Sequence, residues 1–415
     1  MENSNLIMKK TIAKLKGDNK KYLAHALERS LQMSVESYSK SLHAYRPQRP
    51  IEEILIDAFI TECDLLQITP LQTQKYISEI TQFRSISTAP HTEIIAQKRM
   101  FCLQWINAQG VSSTQTLFIG AFSGVPFSNA SRPGRLFLDE KKSINFIPKT
   151  HQNALVFSTK ILDKTCEQHS KLNEVLASKL PTPNKDMYFS QWASKCEMAL
   201  LGEVLNKEIC VFDINRVAKN YILAALEHTD HVITRILTEP AITKKLIDAF
   251  KENERPLHLF YSPYETGKYT KSENIYYLDG YGYEGDHQSF PPDKESLKKA
   301  LQNDRLCPGT FLVFFIFVFL NDFQCFGSFV QVEYLSRFKE KILELNLFST
   351  EEKGYISHVP TYSLTTGMFP NDPLFNPIST ILKNAPIPGH PTDFLIDYYA
   401  PIWRDKWYYT NKQAS

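Results

Sequence analysis

A chain of 415 residues with 43% hydrophobic and 22% charged residues has the composition of a globular protein, which excludes a disordered or fibrous one. At this length one large or two medium domains are expected, because single cores usually stop growing at a smaller size. A formal net charge of +2 gives no global electrostatic case for nucleic acid. Seven scattered cysteines without a C-x-x-C pair argue against a disulfide framework or a zinc knuckle and fit a reducing, cytoplasmic compartment.

Residues 1–50 carry ten Lys/Arg against four acids, a net of +6, which leaves −4 for the rest of the chain. This stretch is expected to form a basic helix ending at Arg46-Pro47, with a protein partner as one use of its charge. The first thirty residues lack the apolar stretch of about 7–15 residues that a secretory signal needs. From Ile51 onward the pattern is helical. Ile54, Leu55, Ala58, Phe59 and Leu65-Leu66 form an apolar stripe, and Glu52, Glu53 and Asp57 lie near its start, where acids favour the helix dipole. Pro70 opens a second helix, and Thr92 caps a third that stops at Gly110.

The texture changes at Thr114. Short apolar runs at 116–122, 154–158, 208–212, 257–261 and 275–278 predict strands, and helical patterns occupy 160–178, 184–206, 215–237 and 293–303. Such alternation predicts an α/β fold with a mixed or mostly parallel sheet flanked by helices. Phe311–Leu320 is wholly apolar but has half the length of a membrane-spanning helix, about 20 residues. It is read as a core segment, and no membrane span is expected. After Leu347 prolines at 360, 370, 373, 377, 386, 388 and 391 deny long helices, while Trp403, Trp407 and Tyr408 are too apolar for a loose tail. The expected organisation is a helical region 1–110, an α/β body 111–347 and an irregular proline-rich covering segment 348–415.

Ligands in parallel sheets sit beyond the carboxyl ends of the strands. The richest such place is the loop Ser123–Arg135 after the 116–122 strand, which carries three serines and two arginines stiffened by Pro126 and Pro133. Arg132 and Arg135 are suited to a carboxylate or phosphate because a guanidinium donates two parallel hydrogen bonds. Ser123 and Ser128 are candidate hydrogen-bonding partners for the same anion. Lys149 and His151 follow on a second loop and add a cation and an acid–base group. Asp213, at the end of the 208–212 strand, is placed to orient a hydroxyl or to hold Mg²⁺.

Other motifs carry less. Gly120–Gly124 has its serine one place late for a nucleophile elbow, and Pro126 opposes the required strand-to-helix turn. Gly280-Tyr-Gly282-Tyr-Glu-Gly285 matches G-x-G-x-x-G, but tyrosines fill the turn and no helix follows. Ser262–Tyr269 has the outline of a phosphate loop without its first glycine or its metal-binding hydroxyl. His228 and His231 have the spacing to share a metal but lack further ligands, so no metal site is expected. The expectation is an enzyme of small-molecule metabolism, a transferase or ligase acting on an anionic substrate, with no identifiable cofactor. A non-enzymatic interaction protein is the alternative.

Overall fold

The computed structural model describes residues 2–95, 98–139, 141–250, 257–261, 275–278, 283–284 and 293–404. Its centre is a four-stranded parallel sheet of β1 (Ser85–Ser87), β2 (Leu117–Ala121), β3 (Ile209–Asp213) and β4 (Gln324–Phe326). The spatial order is β4-β1-β2-β3. Leu117 pairs with Ile209 and Ala121 with Asp213, while Ser85 pairs with Gln324 and Ser87 with Ile119. β2 and β3 are buried at every position, as expected where helices cover both faces of a parallel sheet.

The strand pleat divides the interior. Leu117, Ile119 and Ala121 face one core with Ile209 and Val211, while Phe118, Cys210 and Phe212 face the other. On the first face lie the helices Lys98–Ala108 and Phe189–Leu205, joined by the N-terminal helices Glu2–Gly17, Lys21–Ser30 and Val35–Leu42. On the second face lie Glu53–Leu65, Pro70–Phe83, Ile214–Ala225 and the aromatic run. That run is helical, Thr310–Phe314 followed by a π-helical Phe315–Leu320, with Phe311–Leu320 buried throughout. It ends where Asn321 donates to the Ile316 carbonyl at 3.0 Å and Asp322 adopts a left-handed φ of 62°. Among the described residues no helix is long and apolar enough to cross a membrane.

The fold is the α/β arrangement that the alternation predicts, with informative differences in detail. Residues 1–50 form three helices rather than one, and the helical region 1–110 also contains a strand: β1 leaves the Pro70–Phe83 helix through Arg84, whose φ of 43° turns the chain into the sheet. Residues 154–158 do not form a strand. Leu155 makes a single bridge to Pro126, and Val156–Ser158 is a 3-10 turn. The pattern at 215–237 breaks into Ile214–Ala225 and Val232–Thr238. Phe260–Tyr261 pairs antiparallel with Ile275–Leu278 and with Cys307–Pro308, so the sheets of the molecule are mixed overall.

The segment after Leu347 is irregular over 359–377 and also forms the helices Thr350–His358, Ile378–Lys383 and Leu395–Arg404. It covers the N-terminal helices. The Val35 N–H donates to the Asp393 carbonyl at 2.9 Å, that of Leu395 to Met33 at 3.1 Å, and the Tyr38 hydroxyl to the Leu364 carbonyl at 2.7 Å.

Candidate functional site

The carboxyl ends of β2 and β3 meet at Asp213. As the last residue of β3 and the N-cap of Ile214–Ala225, it accepts the N–H groups of Asn215 and Arg216 on Oδ1, each at 3.1 Å. Such a cap satisfies donors that a helix start otherwise leaves open. The Ser123 hydroxyl donates to the same Oδ1 at 2.7 Å. Asn215 completes the junction: its Oδ1 accepts the N–H groups of Ser123 (2.9 Å) and Gly124 (3.2 Å), and its Nδ2 donates to the Pro308 carbonyl (2.8 Å). Ser123 and Asp213 therefore meet each other at the strand ends, and the Ser123 hydroxyl, expected to hydrogen-bond an anion, is spent on Asp213 instead. Both are fully buried. A serine locked in this way is not an exposed nucleophile.

Charged side chains that the sequence does not single out surround this junction. The backbone N–H of Asp213 donates to Glu62 Oε1 at 3.1 Å. Burial, reinforced by the neighbouring Asp213 carboxylate, pushes the Glu62 carboxyl up to about 8. The Arg216 guanidinium donates to the Phe157 carbonyl at 2.6 Å and lies 4.0 Å over the Tyr188 ring. Its Nε is 3.9 Å from Asp213 Oδ2 and its Nη1 3.8 Å from Asp304. Burial alone would lower the Arg216 pKa, but Asp213, Glu62 and Asp304 together hold it above its ordinary value. Asp304 also accepts Lys219 Nζ at 2.7 Å and the Tyr188 hydroxyl at 2.6 Å.

The remaining predicted residues lie outside this buried network. From Ser123 the chain runs alongside 152–157, with hydrogen bonds between Phe157 N–H and the Ser123 carbonyl (2.9 Å) and between Val156 N–H and the Val125 carbonyl (3.0 Å). This pairing sets Ser128 beside the Lys149–His151 turn: the Ser128 N–H donates to the Gln152 carbonyl at 2.6 Å and its hydroxyl to Asn153 Oδ1 at 3.1 Å. Ser128, Arg132 and Lys149 are exposed, while Arg135 and His151 are half-buried. Arg132 sits at a left-handed φ of 53°, with its guanidinium 5.8 Å over the Phe137 ring. Arg135 opens a hairpin by pairing with Asn145. Among the described residues, Arg132, Arg135 and Lys149 have no carboxylate within ion-pair distance.

The structure adds a residue that sequence reading missed. His91 follows β1 and bridges to Phe122 at the end of β2. Its Nδ1 lies 3.0 Å from Asn129 Oδ1 and 3.1 Å from Ser131 Oγ. Asn129 Oδ1 also accepts the Ser131 N–H at 3.0 Å, which fixes that atom as the amide oxygen. Nδ1 must then carry the hydrogen, and Nε2 is left as the basic nitrogen. Burial lowers the His91 pKa, which favours this neutral form. The signal available in the sequence was only its place, directly after Thr88-Ala89-Pro90 at the mouth of a strand too short to recognise.

Among the described residues no group of three His, Cys, Asp or Glu is placed to hold a metal ion. His231 is engaged otherwise: its Nδ1 caps Val232–Thr238 and its Nε2 meets the Tyr221 hydroxyl at 3.2 Å. The G-x-G-x-x-G glycines and the whole Ser262–Tyr269 loop lie outside the described residues. No protein-family model matches this chain, and no curated protein matches it.

Proposed function

We propose that this chain is an enzyme of small-molecule metabolism that acts by group transfer or ligation on a substrate bearing a carboxylate or phosphate. In this reading Arg132, Arg135 and Lys149 bind the anion and Ser128 hydrogen-bonds it. His91 and His151 are the proton-exchanging groups, and the Ser123–Asp213 pair holds the loop on the sheet. One observation carries the proposal. Three cations without carboxylate partners among the described residues lie on the loop that leaves β2 and on the Lys149–His151 turn packed beside it, and the turn that presents Arg132 also fixes the tautomer of a neutral imidazole. Uncompensated guanidinium groups beside a base are what recognition of an anion followed by proton transfer requires.

The test is native mass spectrometry of the purified protein for a retained metabolite, followed by thermal-shift screening against phosphorylated and carboxylated compounds. Stabilisation by an anionic compound that disappears in Arg132→Ala supports the reading. A protein stabilised by none of them, which instead retains another polypeptide through the basic N-terminal helices, is an interaction protein.

A further inference from the structure

A second site lies at the other end of the sheet. Beside Gln324, the first residue of β4, is a cavity of about 290 Å³ whose walls come from helices Lys21–Ser30 and Val35–Leu42, from Tyr45 and from residues 360–363. This volume is at the low end for small-molecule sites, which begin near ~300 Å³. It has room for one substituted ring and not for a nucleotide.

The lining gives that ring a definite chemistry. Tyr38, Tyr45 and Tyr362 supply aromatic surface. The hydroxyls of Tyr38 and Tyr45 are already committed to the Leu364 carbonyl and the Asp322 carboxylate, so these residues offer rings rather than donors. Arg29 stands at the solvent side, exposed, with its guanidinium 4.9 Å over the Tyr362 ring. It has no carboxylate partner among the described residues, and stacking leaves its edge N–H groups free to take an anion in a bidentate fashion. At the inner wall Gln324 donates from Nε2 to Ser363 Oγ at 2.7 Å. Its Oε1 has no hydrogen bond although the residue is only 2% exposed. That oxygen is closed off from the cavity, so the inner wall presents no free acceptor to a ligand.

We propose that this cavity binds a small aromatic carboxylate. The ring packs among the tyrosines and the carboxylate pairs with Arg29. The site lies apart from the arginine loop and does not depend on the function proposed for it.

Titration calorimetry of the full chain tests this with para-hydroxybenzoate and anthranilate, and with para-hydroxybenzamide as the uncharged control. The expected result is saturable one-to-one binding of a carboxylate, weakened at least about tenfold in the amide and in Arg29→Ala, the scale of one lost charged hydrogen bond. Arg29→Lys should recover part of the loss. Arg132→Ala should change nothing. Absence of saturable binding by both carboxylates overturns the proposal. Binding that survives Arg29→Ala, or that is lost in Arg132→Ala, overturns it equally.

Discussion

Glu62→Gln isolates the buried carboxyl beneath the β3 terminus. In the unfolded chain Glu62 loses its proton near its ordinary value of 4.5, whereas in the fold it keeps the proton up to about 8. Between these values the folded state binds a proton that the unfolded state has released, so stability falls as pH rises through the window. One such group gives a slope of about 1.4 kcal/mol per pH unit, roughly 5 kcal/mol over the whole window and about 2 kcal/mol between about pH 6 and 7.5. Glutamine keeps the acceptor for the Asp213 N–H at Glu62 Oε1 and resembles the protonated acid without titrating. Urea unfolding followed by tryptophan fluorescence, with Trp192 fully buried, measures both proteins across this range. The difference between them cancels the titrating groups that do not interact with Glu62. Wild type should lose stability relative to Glu62→Gln at the slope above, and the gap should level off above about 8. Parallel curves would refute the reasoning, since they mean that Glu62 is ionised in the fold and that burial beside Asp213 does not govern it.

Three further outcomes follow from the same contacts. Arg132→Ala should weaken anion binding by roughly 1.5–3 kcal/mol, with partial rescue by lysine and a stability change within about ±0.5 kcal/mol, read by calorimetry and thermal shift. Arg216→Met should destabilise the protein by about 3–5 kcal/mol in urea, because it leaves Asp213 buried without its cation; a loss below about 1 kcal/mol would show that the pairing is energetically idle. In Gly327→Ala the new methyl carbon would lie 2.1 Å from the Gln331 side chain, which is buried and donates to Thr88 Oγ1 at 2.7 Å. Displacing that amide should lower stability by about 1–3 kcal/mol, and an unchanged urea midpoint would show that the loop absorbs the methyl group freely.

The sequence showed the interior of the sheet better than its boundary. β2 and β3 are legible because five consecutive buried positions leave a run of apolar residues. β1 and β4 are not legible. Each has three residues, and Ser85, Ser87 and Gln324 carry no apolar signal. Their burial comes from pairing across the sheet, which a local window does not contain. The aromatic run was readable as core but not as helix, because periodicity vanishes when every position is apolar. At the site, Asp213 and Ser123 could each be placed at a strand end, but the hydrogen bond between them appears only in the fold. His91 could not be joined to Asn129, since the contact spans 38 residues and depends on the unrecognised β1. Arg216 and Lys219 escaped because charged residues in a helical pattern read as solvated, whereas the fold turns them inward against Asp304 as a compensated group.

The adjacency of β1 and β4 also has a consequence for how the chain is made. Thr88 finds the Phe326 carbonyl 238 residues further along, and the Leu23 N–H finds Glu333 after 310. At translation rates of about 5–20 residues per second, one side of β1 has no neighbouring strand for roughly 10–50 s after it emerges. The lengthening of the loop itself costs little, about 0.6 kcal/mol per doubling, so the delay is one of timing rather than of equilibrium. During that interval the nascent chain presents an open strand margin and the uncovered apolar faces of its first helices. A ribosome stalled before Gln324 would hold the molecule in a form that recruits chaperones, and only synthesis of β4 and the residues after it removes that form.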